Sequence, residues 1–231
     1  MRKTIVMPTV AGMMVPLAAH ALNEQVWLML AGGGGTYVMS DLNTEIDAVN
    51  ASYAGTGWSF PRVENGRSFS LAMGFETAGQ WNFGVGVDRL GASTRASDAS
   101  GALEYRFSAN HWRLFGEYAF APVGNSTFFV GAGVGVIQEN GKLIESTPGS
   151  APLQFKIGGN DPAYEGYIGG NVWFTPQFGL TATAGYRYAR VKQVNVEGMP
   201  FIMSNGEVMS LDFSGPSARL GIKLAAKSLG I

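Results

Sequence analysis

The sequence contains no cysteine among its 231 residues, which excludes disulfide bonds, thiolate metal sites and cysteine nucleophiles. Histidine is almost as scarce, with two residues in the whole chain. Charged residues make up 14% of the chain and sum to a net charge of -1. No run of like charges occurs, so nucleic acid is not an expected partner.

Long apolar runs are missing beyond the N-terminus. Residues 1–21 start with two basic residues, continue with an apolar stretch too short to cross a bilayer, and end in a small-x-small cleavage site, Ala19-His20-Ala21. We therefore expect residues 1–21 to be a signal peptide and residues 22–231 to be the mature domain. No later segment has the 18 or more apolar residues of a membrane helix. The exported chain is therefore either soluble or crosses a membrane as strands.

The mature chain is rich in glycine, with 33 residues in the full sequence, and in alternation of apolar with small or polar side chains. The alternation recurs in segments of about ten residues, which is the length of a tilted membrane strand. Eight such segments lie near residues 25–37, 67–77, 81–88, 102–120, 128–136, 164–174, 178–188 and 217–224. This pattern predicts an all-β fold.

Two segments change parity along their length. In residues 102–120 the apolar side chains stand at odd positions before His111 and at even positions after it. This predicts either a bulge near His111 or a strand whose first half extends above the membrane. A similar shift from Leu211 and Phe213 occurs at Pro216, which needs a bulge or a strand edge.

The connections between the segments alternate in length, as they do in barrels that insert from the periplasm. The short ones are near residues 78–80, 122–126 and 175–177, and the long, outer ones near 39–65, 89–102, 141–162 and 192–207. Aromatic residues beside the short turns predict an interfacial girdle of Phe75, Trp81, Phe120, Phe128, Trp173, Phe174 and Phe178. The sequence therefore predicts an eight-stranded antiparallel up-and-down transmembrane β-barrel at residues 22–231.

The parity opposite to the apolar one carries acidic and basic residues in equal number. They form a candidate lumen charge network of Glu76, Asp88, Arg113, Glu117, Glu165, Arg187, Arg219 and Lys223. Eight strands enclose a lumen just wide enough for side chains to fill it. The set is therefore expected to be a plug of ion pairs in preference to a gated or narrow solute path.

The residues for catalysis or cofactor binding are sparse. His111 is the only histidine left after signal cleavage, with Ser108 and Glu104 as its conceivable partners, which permits at most one acid-base relay. The glycine run at residues 32–35 is not followed by Lys-Ser or Lys-Thr, so it does not predict a phosphate loop. We expect no enzymatic activity, no cofactor and no metal site.

The stretch from Leu211 to Ile222 resembles the closing strand of small outer-membrane β-barrel proteins, the group that includes OmpW-like and OmpX-like members. The resemblance implies location in the cell outer membrane, contact with outer-membrane lipid and lipopolysaccharide, and insertion by the barrel-assembly machinery. It also makes loops 39–65 and 141–162 the candidates for binding external ligands. The chain departs from the group at its end, because residues 225–231 provide no C-terminal aromatic side chain.

Three functions follow from these observations. The first is a non-catalytic outer-membrane barrel with a structural or surface-interaction role in the cell envelope. The second is a narrow OmpW-like channel for small or hydrophobic solutes. The third is a soluble periplasmic lipocalin-like binding protein, which would require the alternating apolar face to turn inward.

Overall fold

The computed structural model describes residues 25–55, 57–77, 80–98, 101–147 and 150–227. The predicted signal peptide at residues 1–21 lies outside the described residues, as do Gly79 in the first predicted short turn and the last four residues of the chain. The signal peptide and the domain boundary at residue 22 therefore stay predictions.

The described chain folds into twelve strands and one helix. The helix, α1, is Ser40–Ser52. The strands are β1 Gln25–Thr36, β2 Asn65–Glu76, β3 Trp81–Asp98, β4 Gly101–Val123, β5 Ser126–Glu139, β6 Lys142–Ser146, β7 Leu153–Thr175, β8 Phe178–Val191, β9 Asn195–Val196, β10 Met199–Pro200, β11 Leu211–Asp212 and β12 Gly215–Lys227. No helix in this part of the chain is long and apolar enough to cross a membrane.

Eight strands pair in a closed antiparallel ring in the order β1, β2, β3, β4, β5, β7, β8, β12 and back to β1. The ring closes between the first and last strands, with register from Gln25↔Lys227 to Gly35↔Ser217. Closure gives every strand two neighbours and leaves no open sheet edge. The predicted eight-stranded antiparallel barrel is confirmed.

The two ends of the barrel differ. At the end that we call the turn end, β4 joins β5 through residues 124–125, and β7 joins β8 through residues 176–177. Gly124 has a φ of 58°, a left-handed conformation that glycine adopts without steric cost. The opposite loop end carries α1, β6 and the short strands β9, β10 and β11.

The outer face of the ring is apolar. On β2 the outward side chains Phe69, Leu71 and Met73 are 55%, 41% and 53% exposed, whereas Ser70 and Ala72 between them are buried inside. Apolar side chains exposed in this number around a closed ring form a belt that matches hydrocarbon and not water. This is the opposite of the arrangement that a lipocalin-like binding protein requires.

The parity change in β4 does not come from a bulge at His111. β4 keeps one register against β3 from Trp81↔Tyr118 to Asp98↔Gly101. Inward residues of β4 in the middle of the barrel include charged side chains, such as Arg113, whereas those near the loop end are apolar, such as Phe107. The pattern therefore changes because the interior changes from polar to apolar along a strand that extends past the belt.

The shift at Pro216 has the same cause. Leu211↔Val191 in β11 and Pro216↔Tyr186 in β12 belong to one continuous register against β8. Pro216 lies one residue beyond the last pair between β12 and β1, Gly35↔Ser217. The proline therefore sits at a strand edge with respect to β1, where a missing N–H is tolerated.

Several predicted outer loops are regular structure. The predicted loop at 89–102 is the paired ends of β3 and β4, because their ladder continues to Asp98↔Gly101. The predicted loop at 141–162 contains β6, which pairs with both β4 and β7. The predicted loop at 39–65 contains α1, whose residues Leu42 and Ile46 are one helical turn apart and buried.

Helix α1 is part of an apolar cap over the loop end. The cap combines inward residues of the barrel wall with residues of the loops: Tyr37, Met39, Leu42, Ile46, Phe60, Val63, Leu90, Ala96, Phe107, Ala109, Ile137, Ile157, Ala163, Ala189, Val191, Val194, Met203, Met209, Leu211 and Phe213. The side-chain amide of Asn50 fixes α1 to the following segment by bonding both backbone groups of Phe60, at 3.0 and 2.7 Å. The loop end is thus covered by a packed core of its own.

The prediction of an aromatic girdle at the turn end is correct for most of the predicted residues. Trp81, Phe120, Phe128, Phe174 and Phe178 face outward and are exposed. Trp173 differs, since it is half-buried and packs against the interior apolar cluster that contains Trp27 and Phe115. Its odd position on β7 directs it inward.

Candidate functional site: the charged barrel interior

Four charged side chains form an ion cluster at the centre of the barrel. Asp88 Oδ2 lies 3.3 Å from Arg113 Nε and 3.0 Å from Arg219 Nη1. Glu165 bridges the same two arginines, through Oε1 to Arg113 Nη1 at 2.7 Å and through Oε2 to Arg219 Nη2 at 3.2 Å. All four residues are buried, and the ion pairs compensate each charge inside this water-poor interior.

Neutral groups add hydrogen bonds to this cluster. Ser70 Oγ donates to Asp88 Oδ1 at 2.5 Å, and Arg219 Nε donates to Thr183 Oγ1 at 3.2 Å. The guanidinium of Arg219 also lies over the ring of Tyr167, 5.4 Å from its centroid. The cluster therefore ties together strands β2, β3, β4, β7, β8 and β12.

The other predicted network residues lie in the same interior but bind different partners. Glu117 accepts a hydrogen bond from the Tyr167 hydroxyl at 3.0 Å. Arg187 donates through Nε to the carbonyl oxygen of Phe213 at 3.4 Å and lies over the ring of Tyr37.

Lys223 and Glu76 lie nearest the turn end. Lys223 Nζ is 4.0 Å from the ring centroid of Trp27, a cation–π contact. Glu76 is half-buried and forms no ion pair within the described residues. Seven of the eight predicted residues are therefore buried in the interior, and four of them form the ion cluster itself.

Three layers of side chains occupy the lumen. Near the turn end Trp27, Ala72, Phe115 and Ala225 form a small apolar cluster. The ion cluster and its partners follow, and the apolar cap closes the loop end. A solute moving along the barrel axis would have to displace all three layers.

His111 is fully buried beside the ion cluster, with Nδ1 3.6 Å from Asp88 Oδ2. Neither ring nitrogen has a hydrogen-bond partner among the described residues. Ligand atoms of Asp88, His111 and Glu165 lie within 4.8 Å of one another, a spacing that could suit a metal ion. Arg113 and Arg219 already contact both carboxylates, however, so a metal cation would meet two guanidinium charges.

The acid-base relay considered for His111 is not assembled. On β4, Ser108 and Glu104 have the parity opposite to that of His111. Their side chains therefore lie on the outer face, whereas the ring of His111 points inward. Ser108 Oγ donates to the carbonyl oxygen of Asn140 at 3.1 Å. Glu104 pairs with Arg106 at 2.7 Å, and this hydrogen bond lowers the pKa of the Glu104 carboxyl below its usual value.

Sequence reasoning missed several interior partners. Ser70, Tyr37 and Tyr167 are neutral at neutral pH and were not candidates for a charge network. Ser70 and Tyr167 have the inward parity of their strands, and Tyr37 continues the inward parity of β1 one residue past its end, which was the available signal. Their roles depend on which residues face them across the lumen, and parity does not specify this.

No protein-family model matches the sequence, and no curated protein sequence matches it. The chain is similar to the crystal structure of Neisserial surface protein A, NspA, with 13% identity and a TM-score of 0.45 over 89% of this chain and 97% of that one. It is similar to Ail, the attachment invasion locus protein of Yersinia pestis, with 14% identity and a TM-score of 0.44 over 88% of this chain and 99% of that one. For the outer membrane protein AlkL, solved in DMPC lipid bilayers, identity is 13% and the TM-score 0.38, over 100% and 99% of the two chains. The fold assignment rests on strand pairing and side-chain direction in this chain itself.

Proposed function

We propose that this protein is a non-catalytic outer-membrane β-barrel that serves the cell envelope as a structural element or through its loop end. The observation that carries the proposal is a closed ring with an apolar outer belt around a filled interior. The apolar belt needs hydrocarbon around it. The closed ring gives the backbone N–H and C=O groups of every ring strand hydrogen-bond partners on neighbouring strands. The buried ion cluster leaves the lumen without a free path.

The route to the membrane is part of the same proposal. Residues 1–21 would direct export, and the barrel-assembly machinery would insert the mature chain into a membrane of outer-membrane lipid and lipopolysaccharide. The turn end would then face the periplasm and the loop end the outside. Residues 39–65 and 141–162, which carry α1 and β6, would be the parts accessible to external ligands.

A narrow channel for small or hydrophobic solutes is less well supported. Such a channel needs a passage through the ion cluster and the cap, or a gap between neighbouring strands. In the described residues every neighbouring pair of ring strands is paired. Asp88 and Glu165 hold four strands, β3, β4, β7 and β12, together through Arg113 and Arg219. The geometry therefore favours a closed barrel.

Planar-bilayer recording tests the proposal. The protein is folded in detergent, its folded state is verified by heat-modifiable gel mobility, and the same preparation is added to a bilayer. We expect no reproducible single-channel steps. Reproducible steps that disappear or change size when Arg187 or Glu165 is substituted would overturn the closed-barrel proposal in favour of the channel.

A further inference from the structure

A groove of about 700 Å³ lies in the outer wall of the barrel, towards the loop end of β2, β3 and β4. Four basic residues line it, Arg67, Arg89, Arg106 and Lys142. None of the described residues that line it is acidic. The groove is thus separate from the ion cluster of the lumen, and it differs from that cluster because only one of its four cations, Arg106, is paired with a carboxylate.

Strand register brings the basic residues together around Gly91. Arg67 on β2 and Ser108 on β4 are the direct cross-strand partners of Gly91 on β3. Paired Cα atoms on adjacent strands are about 5 Å apart. Arg89 precedes Gly91 by two residues on the same face, at about 7 Å along the strand. Long arginine side chains therefore surround a position that has no side chain.

Gly91 forms an open floor. A Cβ atom built on Gly91 would meet nothing nearer than the carbonyl oxygen of Phe107, at 4.0 Å. Packing within the protein therefore does not require glycine at this position. What the missing side chain provides is space between the cations.

Most of the positive charge in the groove is not neutralised. Arg67 has no ion pair or side-chain hydrogen bond within the described residues, and Arg89 and Lys142 contact only neutral groups, at 3.4 and 3.3 Å. Arg106 alone is paired with a carboxylate, that of Glu104. Three cations are therefore available to an anion.

The groove lies at the upper edge of the apolar belt. Phe69 follows Arg67 on the outer face of β2, and Val87 precedes Arg89 on the outer face of β3. A lipid beside these strands would place its acyl chains on the belt and its headgroup at the level of the arginines. Guanidinium groups bind phosphate through two parallel N–H donors, so the groove suits a phosphate headgroup.

We infer that this groove, centred on Gly91 and lined by Arg67, Arg89 and Lys142, binds the phosphate group of a lipid in the surrounding outer leaflet. The inference rests on the proposed function, because it requires the belt to be embedded in lipid. Continuity between the groove and the belt identifies the ligand as a phosphate carried by a lipid and not as a free anion.

Native mass spectrometry of the detergent-folded protein tests the inference, with phosphatidic acid as the probe and diacylglycerol of the same acyl chains as the comparison without a phosphate. The wild type should retain phosphatidic acid preferentially. An Arg67→Gln/Arg89→Gln variant should weaken that binding by about fivefold per cation, or about 25-fold in total. The matched control, Arg95→Gln/Lys192→Gln, removes the same charge from exposed residues outside the groove and should bind like the wild type.

A second variant fills the groove without removing charge. Gly91→Leu introduces a side chain into open space and should reduce phosphatidic acid binding while the barrel folds normally. Equal binding by the wild type, the double variant and the control would overturn the inference. Inorganic phosphate that bound the wild type as tightly as phosphatidic acid would overturn the assignment to a lipid.

Failure of the proposed function can be distinguished from failure of this inference. Heat-modifiable mobility is measured for every variant before binding. A wild-type chain that shows no folded form in detergent contradicts the barrel in a membrane, whereas folded variants with unchanged lipid binding contradict only the groove.

Discussion

Arg113 on β4 and Glu165 on β7 are joined by a 2.7 Å ion pair that passes over the strand between them. The intervening strand is β5, and its residues registered with them are Gly135 and Gly133. Neither glycine has a side chain to occupy the lumen at that level. The glycines of β5 thus make the space in which the buried charges meet, which connects the high glycine content to the ion cluster.

Substituting Gly135 should disrupt the barrel wall. A Cβ atom on Gly135 would overlap the carbonyl oxygen of Trp112 in the neighbouring strand, and backbone atoms cannot move aside cheaply. We expect Gly135→Ala to lower the free energy of unfolding by about 1–3 kcal/mol. Gly166→Ala is the matched control, because Gly166 has no atom within 4 Å of its Cβ position. Urea unfolding in lipid vesicles measures both, and equal stabilities would contradict the close approach.

Asp88 should contribute more to stability than any other acid of the predicted network. It accepts from Ser70 and contacts two arginines, so Asp88→Asn leaves buried positive charge without its partner. We expect a loss of about 3–5 kcal/mol. Glu76→Gln, at a half-buried acid without an ion pair in the described chain, should change stability little. If both variants unfold at the same urea concentration, the ion cluster does not stabilise the barrel.

The barrel could be predicted from the sequence because the alternation of apolar and polar residues assigns each side chain to one face of a strand. Parity placed Asp88, Arg113, Glu165 and Arg219 inside, but it could not show that these four meet. Contacts across the lumen depend on the register of strands that are far apart in the chain. The Gly91 groove was missed for the same reason, since it needs the relative register of three strands.

The loop end was predicted least well. Residues 40–52 contain only a short helical repeat, Leu42, Ile46 and Val49, and most of their partners lie much further along the chain, such as Phe201 and Met209. The apparent parity breaks in β4 and β12 have one cause, a change from polar to apolar interior at the cap. If the interior is assumed to have one polarity along the whole strand, such a change in the sequence pattern is mistaken for a bulge.

Helix α1 should detach when its buried face is weakened. Leu42→Ala removes a buried side chain from the cap. We expect it to lower the free energy needed to open α1 locally by about 2–5 kcal/mol. We expect protease added outside vesicles to cleave the segment at 40–64 faster in this variant. Thr44→Ala, on the exposed face of α1, should be cleaved at the wild-type rate. Equal cleavage of all three proteins would show that Leu42 does not hold the helix on the barrel.

The direction of the side chains is tested most directly by tryptophan fluorescence in vesicles of brominated lipid, whose acyl chains quench only nearby indole rings. Two single-tryptophan variants are compared, with the other four tryptophans replaced by phenylalanine. One retains Trp112, which is 51% exposed on the outer face, and the other retains Trp27, which is 3% exposed in the interior. We predict strong quenching of Trp112 and weak quenching of Trp27. Stronger quenching of Trp27 than of Trp112 would contradict a barrel with its apolar face towards lipid.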